Sequence, residues 1–272
     1  MTSTTLTRER GTSYTQSRNT LGWWLSDVWQ MTLRNVRHVL RSPDLVMFSL
    51  VQPVMFILLF TYVFGGAMDV GGERYAQFLL PGVLVQMALY GSAAGTTIGV
   101  AAEMREGLMD RFRSMPMSRT AVLIGRTLSE IFRNVGVACV TVGVGVMVGF
   151  RFHNGLLPAL AGLLLLLLFG YAVSWFAAYL GLSVRNAEAA QAVGGVWIFP
   201  FTLISSAFVP TDTMPGWLQA YAAHSPMTAA VNALRALFTG GPATSYVLQT
   251  VAWSVGLIAV FAPLAVRKYR SR

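Results

Sequence analysis

The chain has 272 residues, 54% of them hydrophobic and only 11% charged, with a net charge of +9. A soluble domain holds about 25% charged residues, so this composition excludes a soluble globular protein and points to residence in a bilayer. The single cysteine, Cys139, excludes an intrachain disulfide; standing in an apolar run, it is expected to be a small core residue rather than a nucleophile. One lysine against nineteen arginines hints at a GC-rich bacterial genome.

Residues 1–19 are rich in Ser and Thr and nearly free of large apolar side chains, the composition of a disordered tail. No signal peptide is expected: the first apolar run starts near Leu45, is too long for the apolar part of a leader, and has no cleavage site after it. Residues 20–42 read as an amphipathic helix. At 100° per residue, Leu21, Leu25, Val28, Trp29, Val36, Val39 and Leu40 share an arc of about 120°, while Asp27, Gln30, Arg34, Arg37 and Arg41 project from the far side. Trp23, Trp24 and Trp29 with that basic face suit a helix lying in the headgroup layer, and Pro43 ends it.

Six apolar runs follow, over about 45–66, 79–102, 122–150, 156–183, 189–209 and 246–266. A helix of about 20 residues crosses the hydrocarbon core, so six spans are expected. Pro53 and Pro200 should kink the first and fifth. Arg126, Glu130 and Arg133 are assigned to the interfacial end of the third run, with 134–150 as its apolar part. In the second, Gly91, Gly95 and Gly99 form a stripe that lets another helix approach closely. With the N-terminus inside, seventeen basic residues fall on one side of the membrane and only Arg74, Arg151 and Arg235 on the other. The excess makes both termini cytoplasmic. Residues 267–272 form a basic cytoplasmic tail.

Residues 210–241 fall outside by this topology, yet Thr213 or Met214 before Pro215, and Ser225 before Pro226, have the pattern of two helix starts, and Gly240–Gly241 closes the second. Two helices too short to cross form either a re-entrant hairpin or an extracellular lid. Phe208, Met214, Trp217 and Leu218 are the candidate residues of an extracellular gate.

The loop after the second run, "EMREGLMDRFRSMPMSR", has seven charges in seventeen positions. As a helix over 103–115 it places Met104, Leu108, Phe112 and Met115 within about 80° of arc, with Glu106, Asp110 and Arg113 opposite. Mixed charge around an apolar stripe fits a protein groove better than an anionic leaflet, which favours uniformly basic faces.

That segment, together with "FTYVFGGAM", "YAQFLLPGVLVQM", "GRTLSE" and "VPTDTMPGWLQAYAAHSPMTAAVNALR", resembles the ABC-2 permeases of the daunorubicin-resistance type, from about residue 21 to the C-terminus. Ser225 departs from the Asn that many relatives carry before this proline. The resemblance implies an all-α integral membrane protein with six transmembrane helices per subunit, in the bacterial cytoplasmic membrane. It also implies pairing with a second permease subunit, as a homodimer or a heterodimer, and contact with two copies of a separate P-loop ATPase that holds ATP and Mg. The charged loop then becomes the coupling helix, with Glu103, Arg105, Glu106, Asp110, Arg111 and Arg113 as polar contacts and Met104, Leu108, Phe112 and Met115 as its apolar side.

This sequence has no phosphate-binding Gly-x-x-x-x-Gly-Lys-Ser/Thr: its single lysine, Lys268, stands in the tail. No cofactor, metal site or nucleic-acid partner is expected. The function implied is export of an amphipathic drug, antibiotic or lipid-like molecule, with Gln86, Tyr90, Thr97, Phe199 and Phe201 as candidate substrate contacts beside ordinary helix packing. An ion-coupled secondary transporter is the alternative, although carboxylates near mid-span, its usual mark, are not expected. An intramembrane enzyme is disfavoured, because His38, His153 and His224 are far apart and split across the membrane.

Overall fold

A computed structural model describes residues 20–41, 43–65, 75–105, 119–184, 187–196, 198–209, 211 and 214–271. The described residues are helical and contain no strand. In order they form α1 (Thr20–Leu40), α2 (Pro43–Leu59, continued by a π-helical turn over Phe60–Phe64), α3 (Tyr75–Arg105), α4 (Arg119–Val148) and α5 (Leu156–Gly181). Then come α6 (Ala187–Val196), α7 (Ile198–Leu203), α8 (Gly216–His224), α9 (Pro226–Thr239) and α10 (Thr244–Ser271). Four helices, α3, α4, α5 and α10, are long and apolar enough to cross a bilayer. The first run is a shorter apolar helix, and Pro53 lies within it without ending it.

The core lies where α3 and α5 pack together, with α4, α9 and α10 around them. Close approach is set by small residues: a side chain at Gly181 of α5 would meet the Thr97 backbone of α3, and one at Gly82 of α3 would strike the Ala207 carbonyl. Leu79, Val83, Leu166, Phe169, Val231 and Leu234 are fully buried in the main cluster. Elsewhere large apolar side chains face outward, among them Leu164, Leu248, Trp253 and Val255. Such surface is stable against hydrocarbon and not against water.

Several expectations change. The fifth run was expected to be helical through 209; its last described helical residue is Leu203, and 204–209 form an irregular turn. Ser205 Oγ donates to Thr202 O at 2.6 Å and accepts from Ala207 N at 3.3 Å, side-chain bonds that compete with the helical ladder. Cys139 is not a core residue: it is exposed on α4, on a face with Phe132, Val135 and Met147. The expected amphipathic helix at 103–115 begins inside α3, whose last turn holds Glu103, Met104 and Arg105; its remainder, like the tail 1–19, lies outside the described residues.

α1 is present with nearly the expected bounds, but its packed face is turned. Trp24, Val28, Met31, Thr32 and Asn35 face inward; Leu25 and Trp29, assigned to the same apolar arc as Val28, are exposed. The packed face is rotated by about 70° from the apolar arc, at 100° per residue. Gly125 of α4 causes this, since Met31 Cβ, Thr32 N and Val28 O crowd the space where its Cβ would stand. Trp24 Nε1 donates to Thr120 Oγ1 at 3.2 Å, and Trp29 meets Phe132 edge to face.

Candidate functional site

The charged loop joins α3 to α4, and a polar ladder runs from its base between those two helices. Glu103, only 8% exposed, receives Arg34 of α1 at 3.1 Å and Arg126 of α4 at 3.6 Å. Arg126 also donates to the Gly95 carbonyl at 3.0 Å. One turn further, Arg133 Nε meets Glu130 Oε2 at 2.7 Å, and Arg133 Nη2 donates to Asn134 Oδ1 at 3.2 Å. Asn134 Nδ2 in turn donates to Ser92 Oγ at 2.9 Å, back on α3.

The glycine stripe makes room for these groups. A Cβ at Gly99 would overlap the Arg126 guanidinium, one at Gly95 would stand 3.1 Å from Glu130 Oε1, and one at Gly91 would overlap the Arg133 guanidinium. The matches run in opposite order along the two helices, so α3 and α4 are antiparallel. The stripe was expected to admit a neighbouring helix, and it does, with three charged side chains filling its notches. Gly91 lies about 21 Å along the axis from Arg105, at 1.5 Å per residue. The ladder therefore reaches well into the helix pair, with its glutamates and arginines paired along the way. Mutual neutralisation allows this: Glu103, Glu130, Arg126 and Arg133 can be largely buried because each meets an opposite charge or a carbonyl, while Arg34 stays 39% exposed.

At the opposite end of the bundle, α9 presents Thr228, Asn232 and Arg235 at spacings of four and three, one face of a helix. Ser206 N donates to Thr228 Oγ1 at 3.3 Å, and Ser206 Oγ donates to Asn232 Oδ1 at 2.9 Å. Beyond them, Tyr75 OH donates to the Phe208 carbonyl at 3.1 Å, and the Phe208 ring stacks on Phe60 at a centroid distance of 4.9 Å. The turn 204–209 is thus held from α2, α3 and α9. Backbone outside a helical ladder needs such partners when it is buried.

Residues 26–239 match the family described as ABC-2 type transporter. The chain belongs to that family. It is 36% identical to the daunorubicin resistance ABC transporter permease protein DrrB1 of Streptomyces coeruleorubidus, over 91% of this chain and 86% of that one. It is 28% identical to the probable doxorubicin resistance ABC transporter permease protein DrrC of Mycobacterium tuberculosis, over 92% of this chain and 91% of that one. The putative transport permease ycf38 of Cyanophora paradoxa is 24% identical, over 80% of this chain and 76% of that one. This ABC-2 protein is a multi-pass membrane permease.

Within the ABC-2 permease, Glu106, Leu108, Asp110, Arg111, Phe112, Arg113 and Met115, expected to contact the ATPase, lie outside the described residues. Arg105 is exposed at the end of α3, Met104 is half-buried against the cluster around Leu123 and Trp175, and Glu103 points inward. Of the path candidates, Tyr90 is 41% exposed and Gln86 half-buried, one turn apart on α3. Thr97 is fully buried and donates to Ala177 O at 3.2 Å, which places it in the α3–α5 contact. Phe201 meets Tyr221 of α8 edge to face, and the Phe199 side chain lies outside the described residues.

Of the gate candidates, Phe208 is buried, Met214 and Leu218 are half-buried and Trp217 is 75% exposed. Pro215 takes the cap position of α8, so that helix starts one or two residues later than expected, whereas Ser225 caps α9 with Pro226 as its first residue. Ser225 makes no side-chain cap bond, and His224 bonds within its own helix, Nδ1 to Ala220 O at 3.0 Å.

Sequence reasoning gave no site role to Arg34, Asn232 or Arg235, whereas the spacing of Glu130 and Arg133 already pointed to an ion pair, and the structure contains it. For the ladder a signal existed: Gly91, Gly95 and Gly99 repeat every four residues, and Arg126, Glu130 and Arg133 repeat at four and three in the next helix. Both sets lie on one helical face. For Arg235 the sequence offered only an isolated cation.

Proposed function

We propose that this permease pairs with a second permease subunit and exports an amphipathic, drug-like or lipid-like molecule across the bacterial cytoplasmic membrane, driven by a separate ATPase that holds ATP and Mg. In this reading six segments cross the membrane, both termini are cytoplasmic, and the α3–α4 loop over 103–115 enters the ATPase. The observation that carries it is the 36% identity to a daunorubicin resistance permease over nearly the whole chain. The ladder adds a physical route. Nucleotide-driven motion delivered to the loop passes through Glu103 to α1 and α4 together, since both hold that carboxylate. Satisfied polar networks are rigid and, with packed side chains, are among the routes by which such a displacement travels. Glu103 is therefore the internal anchor of the loop, and Arg105, Glu106, Asp110, Arg111 and Arg113 its contacts with the ATPase. Glu130 is held by Arg133 at 2.7 Å, the arrangement of a structural ion pair and not of a proton relay.

The test is uptake of daunorubicin, as a probe, into inverted vesicles carrying the permease and its ATPase. ATP-dependent uptake that survives a protonophore is expected. Uptake that needs no ATP and collapses with the proton gradient would establish the secondary transporter instead.

A further inference from the structure

We propose that Arg235 is a positioning residue for transport: it pins the turn 204–209, with Phe208 at its tip, as the plug that closes the outer end of the permeation route. This deepens the export reading above and rests on it for which end is outer. Arg235 is half-buried, and its guanidinium lies 3.8 Å from the centre of the Phe78 ring. From there Nη2 donates to the Phe78 carbonyl at 3.1 Å and to the Ser206 carbonyl at 3.0 Å, and Nη1 donates to Asn232 Oδ1 at 3.0 Å. One side chain of α9 thus ties the first turn of α3 to the turn after α7. A guanidinium suits this task because its planar fork reaches two carbonyls at once while its face rests on an aromatic ring; an ammonium does only one of these well.

The pinned turn has the properties of a movable part. Its backbone is not carried by a helical ladder, and it is fixed by separable side-chain bonds from Thr228, Asn232, Arg235 and Tyr75. The Ala207 carbonyl occupies a notch at Gly82 that no larger residue would leave open. Phe208 at the tip packs against Phe56 and Phe60, and Phe60 opens the π-helical turn of α2. Such turns are common at functional sites. When Arg235 lets go of Ser206, the turn loses its link to α3 through Phe78, and Phe208 is then held by the Tyr75 bond and its contacts with Phe56 and Phe60.

The experiment measures access to the turn in intact spheroplasts expressing the full chain with Cys139→Ser. Ser205→Cys is the reporter: Ser205 is 1% exposed, the change is nearly isosteric, and its hydroxyl does not bond Arg235. Trp217→Cys, at a site 75% exposed on α8, is the control. With Arg235 intact, a membrane-impermeant maleimide is expected to label the reporter at least 10-fold more slowly than the control. Arg235→Ala should raise the reporter rate at least 10-fold while the control rate stays within 2-fold. Arg235→Lys, which keeps a cation over Phe78, should raise it less.

A reporter rate unchanged by Arg235→Ala, or already equal to the control with Arg235 present, overturns the proposal. Should Arg235→Ala fail to reach the membrane, Asn232→Ala removes the acceptor shared by Arg235 and Ser206. It should raise the reporter rate about 3-fold, and no change again overturns the pin. Labelling needs neither ATPase nor drug. Loss of ATP-driven uptake with a responsive reporter therefore counts against export alone, and normal uptake with a silent reporter counts against the pin alone.

Discussion

Replacing Arg133 or Glu130 alone should destabilise the permease far more than replacing both. The pair is 2.7 Å apart, with side chains 18% and 7% exposed. At the effective dielectric of partly buried pairs its attraction is about 6 kcal/mol, most of it offset by the cost of removing both charges from water. Breaking such a pair costs about 3–5 kcal/mol because the survivor remains buried and unpaired. Arg133→Met is therefore expected to cost about 3 kcal/mol, roughly a hundredfold in the folded-to-unfolded ratio. Glu130→Leu should cost less, about 2 kcal/mol, because Asn134 still accepts from Arg133. The double variant, which leaves an apolar contact against Gly91 and Gly95, should fall within about 1 kcal/mol of the parent. The assay is reversible unfolding in mixed micelles of increasing dodecyl sulfate, followed by far-UV ellipticity. Arg34→Met is the comparison: its side chain is 39% exposed and Glu103 keeps Arg126, so it should cost less than about 1 kcal/mol. Single variants within about 0.5 kcal/mol of the parent, or a double variant whose cost equals the sum of the singles, would refute a neutralised ladder.

Glycine substitutions should divide sharply. Gly82→Ala drives a methyl group into the Ala207 carbonyl and should abolish folded protein on size exclusion, whereas Gly136→Ala and Gly143→Ala, with nothing within 4 Å of the added carbon, should be neutral. Gly99→Leu should displace Arg126 from the Gly95 carbonyl and cost about 1–3 kcal/mol in the same unfolding assay. Cys139, exposed on α4, should react with a lipid-soluble maleimide in folded protein without loss of helicity; protection until unfolding would return it to the core. Glu103→Arg should lower ATP-driven uptake at least 10-fold, with partial recovery when combined with Arg34→Glu; failure of the reversed pair to recover would separate Arg34 from the loop.

Much of the fold was legible because hydrocarbon imposes a simple rule. Runs of apolar residues marked α3, α4, α5 and α10 to within a few residues at most ends. The rule is silent where side chains, and not lipid, decide. Ser205 and Ser206 are small and neutral enough to pass as part of a span, yet their hydroxyls bond the backbone and Asn232 and end the helix early. Periodicity found the amphipathic α1 but misplaced its packed face, because an apolar arc shows what can leave water, while Gly125 determines where the helix fits. A glycine stripe reads as helix packing in any bilayer protein; only the facing helix shows that its notches hold guanidinium groups. The loop motif remained the strongest pointer to function, since mixed charge around an apolar stripe has little use against lipid.

The central claim is that the loop over 103–115 is where force enters. It is tested most directly by capturing the ATPase on the tagged permease after Arg111→Glu with Arg113→Glu, beside Arg267→Glu with Arg270→Glu in the tail. Lost capture in the loop variant, with normal membrane insertion and an unaffected tail variant, is the predicted result. An ATPase that stays bound to the loop variant as well as to the parent would contradict it.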